Sequence, residues 1–319
     1  MKIIMFNDCS HVGESLVVYL PESFHVIHLK RSRDLLSKTL GVLWKTLTAK
    51  GDVYHVHYLL QDCWLSLKFG KRPIIGHAHG SDVRDSLDHF AWGKLVRANL
   101  EGCDKIVVST PNLLEKATEY NENTEYIPNL VDENVFYPKA RRKATNRIRV
   151  LVAAASDWRV KGTDKIVRAL KIIEDEVEAS MISYGVDAAK TLSLAKRLGL
   201  HINMLRRVPH KEMSRYYWNA DTVIAAIGIG GTLGVVALEA ISCGRPTITR
   251  VSSSFEGYEA FPLLDVSEPE EIAEAILYSR RDDLWEKEYA YYKSNHDPHK
   301  ITKRFMKIYS ELVDGKKCD

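Results

Sequence analysis

The sequence predicts an α/β protein built from two doubly wound parallel-sheet domains that face a cleft. Two series of short apolar strands alternate with amphipathic helices, the first beginning at Lys2–Phe6 and the second at Arg149–Ala155. Between the two series, residues 138–149 carry six basic side chains and no acid, which is typical of a linker. A chain of 319 residues is also longer than one hydrophobic core usually supports. The expected division is a domain at 1–140, a basic linker at 141–148, a domain at 149–297, and a helix at 298–319 that packs back on the first domain.

The composition is that of a soluble globular protein, with 45% hydrophobic and 27% charged residues. A net charge of +3 gives no reason to expect a nucleic-acid partner. The five cysteines are scattered and form no C-x-x-C pair, which argues against a zinc site or a disulfide framework and fits a reducing compartment. No secretory signal and no apolar run of about 18 residues is present, so we expect a cytoplasmic protein.

In the first series, polar residues follow the fourth strand. The predicted strands are Lys2–Phe6, Phe24–Leu29, Val53–His57, Pro73–His79, Lys105–Ser109 and Glu125–Ile127. Ligands of open α/β sheets bind beyond the carboxyl ends of the strands, so His79 and Asp82 lie where chemistry is expected. A lone histidine after a strand is usually structural, but the Gly-Ser-Asp that follows His79 makes a functional role as frequent as a structural one. Gly13, in the turn after the first strand, is weak evidence for a phosphate loop, and an ordinary βα turn explains it better.

The segment 34–49 predicts an amphipathic helix with basic flanks. Its apolar positions are Leu36, Leu40, Leu43, Trp44 and Leu47. With Lys38 and Lys45 beside Trp44, the helix could lie on an anionic membrane surface. Packing of the same apolar stripe against the domain's own sheet is the somewhat favoured alternative.

The second series contains the segment with the clearest signal. Its predicted strands are Arg149–Ala155, Ala179–Tyr184, His201–Arg206, Thr222–Ile227 and Pro246–Val251, and its helices include Thr163–Asp175 and Glu268–Ser279, with His299–Val313 as the terminal helix. Gly230, Gly231, Thr232, Leu233 and Gly234 form a Gly-rich turn that opens an apolar helix at Val235. A helix N-terminus after such a turn is suited to bind an anion. Glu239 in the middle of this helix could bind a ribose diol, or it could be an ordinary surface glutamate.

These segments resemble the retaining family 4 glycosyltransferases of the GT-B fold, which have two Rossmann-like domains. The motifs that carry the resemblance are His-Gly-Ser-Asp (79–82), the strand 103–110, Ile-Pro-Asn-Leu-Val-Asp (127–132), Val-Lys-Gly (160–162) and the segment 234–246. The resemblance implies transfer of a hexose-type sugar from a UDP- or GDP-sugar, with retention, and it implies no cofactor. The acceptor would be a glycan or glycolipid, such as a lipid-linked or surface-glycan precursor.

The resemblance also implies roles for individual residues. Glu239 would bind the ribose hydroxyls, and the amides of Gly234 and Val235 would bind the diphosphate. Lys161 would neutralise charge on the leaving phosphate, as fixed cations stabilise charge where it develops. His79 would lie beside the donor sugar, and Gly13 would let the first loop approach the phosphates. The chain contains no D-x-D motif, so we expect a metal-independent enzyme.

Two departures from the family pattern leave an alternative open. The first glutamate of the family's E-x(7)-E pattern is Gly231 here, and the family's arginine before the Lys-Gly turn aligns with Ser156, so that Arg159 is the nearest substitute. The alternative is a non-catalytic GT-B subunit that acts as a scaffold in glycan assembly. If the helix 34–49 is exposed, we expect a peripheral protein on the inner face of the cell membrane.

Overall fold

The computed structural model describes residues 1–31, 41–141 and 145–315, and in this part of the chain it shows two compact units. One unit comprises Met1–Leu130 and the chain from Asp297 onward, and the other comprises Val131–His296. The predicted boundary at 140 differs from this division because Val131 and Phe136 are buried in the hydrophobic core of the second unit. Of the predicted linker 141–148, residues 142–144 lie outside the described residues. The others belong to the second unit, and Ile148 already begins its first strand.

The first unit contains a parallel sheet. Its strands are β1 (Lys2–Phe6), β2 (His25–Leu29), β3 (Val53–His57), β4 (Ile74–Ala78), β5 (Lys105–Val108) and β6 (Thr124–Tyr126). Within the described ranges they have the order β2-β1-β3-β4-β5-β6, and every pair is parallel. The helices are α1 (Val12–Tyr19), α2 (Val42–Thr48), α3 (Gln61–Lys68), α4 (Ser81–Arg84), α5 (Gly93–Gly102) and α6 (Leu114–Thr118). Strands β3 and β4 are buried along their full length, as expected for the centre of such a sheet.

The second unit repeats this architecture with a different strand order. Its strands are β7 (Ile148–Val152), β8 (Val177–Ile182), β9 (Asn203–Leu205), β10 (Thr222–Ile224) and β11 (Thr247–Ile248), ordered β11-β10-β7-β8-β9 in the part that the structure describes. All pairs are parallel. The helices are α7 (Trp158–Lys161), α8 (Thr163–Ile172), α9 (Ala188–Arg197), α10 (Met213–Asn219), α11 (Val235–Ser242), α12 (Pro269–Tyr278) and α13 (Asp282–Asn295). The predicted fold class, two doubly wound α/β domains, is confirmed.

The last helix, α14 (Pro298–Gly315), belongs to the first unit. Phe305 and Tyr309 are buried on its inner face, and both rings contact His55 of β3. Arg304 pairs with Glu125 near β6 at 2.8 Å. The chain therefore returns to its first sheet after completing the second unit.

Strand β10 is shorter than the predicted Thr222–Ile227. Ala225 and Ala226 still form backbone hydrogen bonds with Ile248 and Arg250. The chain then turns away, since the N–H of Ile227 donates to the carbonyl of Lys161 at 3.0 Å and the N–H of Ile229 donates to the carbonyl of Arg159 at 3.2 Å. These two bonds join the end of this segment to α7.

Helix α2 covers the described part of the predicted helix 34–49, and residues 34–40 lie outside the described residues. Val42 and Thr46 are buried, whereas Leu43, Trp44 and Leu47 are 39%, 68% and 51% exposed. The favoured packing alternative is therefore wrong for these three side chains, which face solvent and not the sheet. None of the described helices combines the length and the apolar character needed to cross a bilayer.

Candidate functional site

The Gly-rich turn between β10 and α11 adopts backbone conformations that glycine favours. Gly230 and Gly231 have positive φ angles of 112° and 57°. A Cβ atom at Gly228 would lie 2.5 Å from the carbonyl oxygen of Arg159, so this position also requires glycine. Thr232 is half-buried, and Leu233 is buried with its N–H directed to the Tyr258 hydroxyl at 3.3 Å. The turn is thus held compactly between α7 and the start of α11.

The N-terminus of α11 has the features of an anion site. Gly234 is its N-cap residue in an extended conformation, and no side chain caps the helix. A Cβ atom at Gly234 would meet no atom within 4 Å, so the space beside the first turn is open. The first amides of a helix have no intrahelical acceptor, and the helix dipole places partial positive charge there. A phosphate group fits the amide of Val235 chemically and electrostatically.

The Lys-Gly turn lies directly beside the Gly-rich turn. Lys161 ends α7, and Gly162 follows in the left-handed conformation with a φ of 64°. A Cβ atom at Gly162 would lie 3.1 Å from the amide nitrogen of Gly228, so the two backbones touch. Because β7 and β10 are neighbours in the sheet, Lys161 and the Gly-rich turn share one carboxyl edge. Lys161 is half-buried there, and Arg159 is exposed.

Ser156 has a different environment from the one predicted. Its hydroxyl is buried and faces the sulfur of Met181 at 3.9 Å. Its backbone N–H donates to the carbonyl of Tyr184, and its carbonyl accepts from Asp187. The side chain therefore faces the core of the unit, and Ser156 shapes the loop after β7 through its backbone.

Glu239 is buried and already holds two partners. Nε2 of His210 lies 2.5 Å from its Oε1 atom, and the hydroxyl of Tyr217 donates to Oε2 at 2.7 Å. An ionised carboxylate only accepts, so Nε2 of His210 carries a proton. Burial, followed by the neighbouring Glu239 charge, raises the pKa of Tyr217 well above its ordinary value and keeps its hydroxyl a donor. The residue is 3% exposed, which contradicts the alternative of a surface glutamate.

His210 and Tyr217 are absent from the sequence-predicted site. They stand 29 and 22 positions from Glu239 and belong to a short 3₁₀ turn and to α10. No local pattern in the sequence links either residue to α11. Each carboxylate oxygen has a second lone pair, so Glu239 can still accept a ribose hydroxyl if the group reaches it.

The structure gives a physical reason for glycine at position 231. Besides its positive φ, a Cβ atom at Gly231 would lie 2.9 Å from Cβ of Ser252. The carbonyl of Gly231 also accepts from the N–H of Ser252 at 2.9 Å, which fixes this approach. The glutamate of the family pattern would therefore require the loop to move.

In the first unit, Asp82 organises the loop that follows β4. Its buried carboxylate accepts backbone N–H bonds from Leu59, His79, Gly80 and Val83 at 2.9–3.2 Å. Burial raises the pKa of Asp82, and these hydrogen bonds oppose that rise. The role that the structure shows for Asp82 is to anchor the loop and, with it, His79.

His79 lies at the carboxyl end of β4 and is half-buried. Its Nε2 atom lies 2.9 Å from Nδ1 of His57 on the neighbouring strand. Burial lowers the pKa of His79 to about 3, so the ring is neutral near pH 7. A neutral imidazole has one donor and one acceptor nitrogen, and the bond to His57 decides which is which.

A second pair of buried histidines lies beside the first. Nε2 of His55 lies 3.1 Å from Nδ1 of His77, and Nδ1 of His55 lies 2.7 Å from the hydroxyl of Tyr309. In the described part of the chain, ring nitrogens of His55, His57 and His77 are near enough to one another to consider a metal ion. The facing nitrogens of His55 and His77 already share a hydrogen bond between nearly coplanar rings, which favours a network of shared protons.

Gly13 has a structural explanation within the first unit. Its N–H donates to the Asp8 carboxylate at 2.9 Å, so this amide already has an acceptor. A Cβ atom at Gly13 would lie 3.0 Å from Nε2 of His57, and glycine therefore allows α1 to lie close to the histidines. This geometry matches the alternative of an ordinary βα turn.

Two of the predicted membrane-facing residues, Trp44 and Lys45, lie in α2. Trp44 is exposed, and Nζ of Lys45 donates to the carbonyl of Lys30 at 3.0 Å. Lys38 lies outside the described residues. The described part of this segment thus presents an exposed apolar face next to a lysine.

Comparisons with known proteins agree with this architecture. Residues 147–282 match the model of the family described as "Glycosyl transferases group 1". A search of the curated proteins finds no significant match. Among solved structures, sucrose-phosphate synthase from Thermosynechococcus elongatus is 18% identical with a TM-score of 0.75, and the match covers 99% of this chain and 100% of that chain.

Two further solved structures carry nucleotides. HepE from Anabaena, in complex with UDP-glucose, is 17% identical with a TM-score of 0.71 over 98% of this chain and 100% of that chain. MnaA from S. aureus, in complex with UDP, is 16% identical with a TM-score of 0.62 over 98% of this chain and 97% of that chain. At these identities the likeness establishes a shared fold, that of the GT-B glycosyltransferases.

Proposed function

Because residues 147–282 carry a glycosyl transferases group 1 domain, we propose that the chain transfers a sugar from a nucleoside-diphosphate sugar to an acceptor. The observation that carries this proposal is the uncapped N-terminus of α11, with open space at Gly234 and the Lys161–Gly162 turn beside the same Gly-rich loop. Breaking a glycosyl–phosphate bond builds negative charge on the leaving diphosphate. Helix amides and a lysine are suited to stabilise that charge.

The proposed roles of the second unit follow from this chemistry. The amide of Val235 binds a phosphate oxygen, and Lys161 neutralises the charge that develops when the sugar leaves. Arg159 is exposed, two residues before Lys161, and we propose that it adds positive charge to the same edge. Because fixed cations and amides supply this stabilisation, we propose a metal-independent reaction. A transfer rate that is unchanged by EDTA supports this point, and a rate abolished by EDTA and restored by Mg²⁺ overturns it.

We propose UDP as the nucleotide of the donor, in preference to GDP. The solved structures of HepE and MnaA contain UDP or UDP-glucose, and both proteins share the fold of this chain. Glu239, held by His210 and Tyr217, is the proposed acceptor for a ribose hydroxyl. A hexose as the transferred sugar and retention of its anomeric configuration complete the proposal, and the anomeric proton of the product, measured by NMR, tests retention.

A thermal-shift panel with UDP, GDP, ADP and their sugar conjugates tests the donor proposal. A ligand that binds only the folded protein stabilises it by mass action and so raises the melting temperature. At a ligand concentration of about a hundred times Kd, this stabilisation is about 2.7 kcal/mol. We expect a shift with UDP and UDP-hexose that is reduced in Gly234→Ala, whose new methyl group would occupy the open space. A protein that unfolds cooperatively but shifts with none of these compounds contradicts the proposal.

The second candidate function is a scaffold subunit without transferase activity. Gly231 favours it, because the loop cannot hold the family's first glutamate without moving. The scaffold candidate predicts no sugar transfer and no hydrolysis of any nucleotide-sugar, and it is compatible with weak UDP binding. Slow release of UDP from a UDP-hexose, lost in Lys161→Ala, would decide for the enzyme.

We further propose that the protein docks on the inner face of the cell membrane through α2 and that its acceptor is a glycan or glycolipid precursor. Leu43, Trp44 and Leu47 expose an apolar face, and Lys45 lies beside it. An interfacial helix places such apolar side chains between lipid headgroups, and basic residues add about 1 kcal/mol each on an anionic surface.

Co-sedimentation with vesicles tests this docking. We expect binding to vesicles that contain anionic lipid, weakened by salt and by Trp44→Ala or Lys45→Ala. The matched control is Trp64→Ala on α3, because Trp64 is also exposed and also has a lysine nearby, Lys68. Equal effects of Trp44→Ala and Trp64→Ala, or binding that ignores lipid charge, would overturn the membrane proposal.

A further inference from the structure

Four histidines, three on β3 and β4 and His79 directly after β4, form two hydrogen-bonded pairs that lie one above the other. His57 pairs with His79 through nitrogens 2.9 Å apart, and the two ring planes differ by 17°. His55 pairs with His77 at 3.1 Å with a 22° difference. The pairs stack on each other, since the ring centroids of His55 and His57 are 4.5 Å apart and those of His77 and His79 are 4.2 Å apart.

The far nitrogen of His57 indicates which of the two rings donates the hydrogen bond between His57 and His79. That atom, Nε2, is buried and has no hydrogen-bond partner among the described residues. A buried N–H without an acceptor is rarer than a buried acceptor without a donor. His57 therefore carries its proton on Nδ1 and donates a hydrogen bond to Nε2 of His79. Nε2 of His57 is then a buried acceptor without a donor among the described residues.

We propose that His57 is a positioning residue that holds His79 as the Nδ1–H tautomer, so that His79 presents a hydrogen-bond donor to a substrate oxygen. Two features fix the positions of these two rings. Asp82 anchors the loop by accepting the backbone N–H of His79. A Cβ atom added at Gly13 would lie 3.0 Å from Nε2 of His57, so α1 packs closely against this ring. Rotation of either ring away from the other would break the bond.

The consequence for transfer rests on the proposed function, whereas the tautomer does not. A neutral Nδ1–H donor is suited to a sugar hydroxyl or to a phosphate oxygen that gains charge. The opposite tautomer would present a lone pair there, which can accept from a hydroxyl but cannot donate to a phosphate oxygen. His57 thus decides whether His79 can donate a hydrogen bond to such an oxygen.

The tautomer can be read directly from ring ¹⁵N chemical shifts in a protein with labelled histidine, because protonated and bare ring nitrogens give well-separated signals. In the wild-type protein we expect His79 to have a protonated Nδ1 and a bare Nε2. A bare Nδ1, or an equal mixture of the two forms, overturns the proposal. This reading requires no substrate, so a protein that binds no nucleotide leaves it intact.

Two substitutions at His57 separate positioning from packing. In His57→Asn the amide nitrogen can take the place of Nδ1 and still donate, whereas in His57→Gln the amide lies one bond farther out. We expect His57→Asn to keep the wild-type tautomer of His79 and His57→Gln to lose it. The control is His55→Asn, which disturbs an equally buried histidine that does not bond to His79.

Transfer kinetics supply the second readout. We expect His57→Gln to lower kcat by about 10²-fold with little change in the KM of the donor, since it removes a donor that acts where charge develops. His57→Asn should recover most of that loss. If His57→Gln and His55→Asn shift the tautomer equally, or if neither does, His57 has only a packing role and the proposal is wrong.

Discussion

The Nε2 atom of His210 lies 2.5 Å from Oε1 of Glu239, inside the second unit. This contact, together with the Tyr217 hydroxyl at 2.7 Å from Oε2, fixes the carboxylate that the sequence singles out in α11. Glu239 is therefore part of the internal structure as well as a proposed ligand for ribose. Effects of its replacement on nucleotide binding must be separated from effects on folding.

Replacement of Glu239 by Ala should destabilise the protein. The change removes the acceptor of the buried Tyr217 hydroxyl, and a buried unsatisfied polar group costs about 1–3 kcal/mol. Urea unfolding monitored by circular dichroism measures this. An unchanged unfolding midpoint would contradict the observed hydrogen bonds.

The matched control is Tyr217→Phe, which removes the donor together with its need for an acceptor. We expect a loss of only about 1 kcal/mol, because Glu239 keeps its bond to His210. Nucleotide binding by Tyr217→Phe then reports on the carboxylate in a nearly intact fold. A larger loss in Tyr217→Phe than in Glu239→Ala would show that ring packing, and not the hydrogen bond, dominates at this position.

The histidines on β3 and β4 should make the protein less stable in acid. Burial, with smaller contributions from neighbouring histidines, lowers the pKa of His55 from 6.5 to about 3, and the pKa values of His57 and His77 also lie well below 6.5. Below pH 6.5 the unfolded chain therefore binds protons that the folded chain does not. Stability is fully present above pH 6.5 and is lost progressively towards pH 3, at about 1.4 kcal/mol per pH unit for each such group.

A comparison of the wild-type protein with His55→Leu separates the pH dependence of stability due to His55 from that due to buried carboxyl groups. Burial raises the pKa values of Asp82 and Glu288, and such groups change stability with the opposite sign. They remain in both proteins and cancel in the difference. We expect the variant to lose stability less steeply between pH 6.5 and 4.5, by about 1.4 kcal/mol per pH unit. Parallel curves for the two proteins would contradict the assignment of His55 as a neutral buried group.

Gly231 and Gly234 should respond differently to the same substitution. Gly231→Ala places a methyl group 2.9 Å from Cβ of Ser252 in a left-handed conformation, which costs about 1–2 kcal/mol from the conformation alone. Gly234→Ala meets no atom within 4 Å at a φ of −85°, so its unfolding free energy should change by less than about 0.5 kcal/mol. Unfolding midpoints in urea check both. Equal destabilisation would show that the turn does not have this backbone.

The sequence predicted the fold well because buried parallel strands leave a strong local signal. Lys2–Phe6 and Val53–His57 have the predicted bounds, and the terminal helix differs by only a few residues. Strand β10 was predicted too long, since no local pattern reveals that Ile227 bonds to Lys161. Contacts between residues that are distant in the chain decide such ends.

The sequence predicted those parts of the candidate site that are local motifs. The Gly-rich turn and the Lys-Gly turn are contiguous motifs, and the structure brings them together at one sheet edge. The partners of Glu239 and the His57–His79 bond arise only from tertiary packing, so sequence reasoning missed them. Motif position also did not reveal that the Ser156 hydroxyl faces the sulfur of Met181 or that the Gly13 amide already donates to Asp8.

The proposed transferase depends most directly on UDP binding beside Lys161, and calorimetric titration of UDP into Lys161→Ala tests it. A charge-assisted contact to phosphate contributes about 1.5–3 kcal/mol, so we predict a Kd for UDP that is about 10- to 100-fold weaker than in the wild-type protein. The control is Lys165→Ala, which removes a lysine of α8 that pairs with Glu268 at 2.6 Å. Wild-type affinity in Lys165→Ala with a large loss in Lys161→Ala supports the account, whereas equal affinities in all three proteins would contradict it.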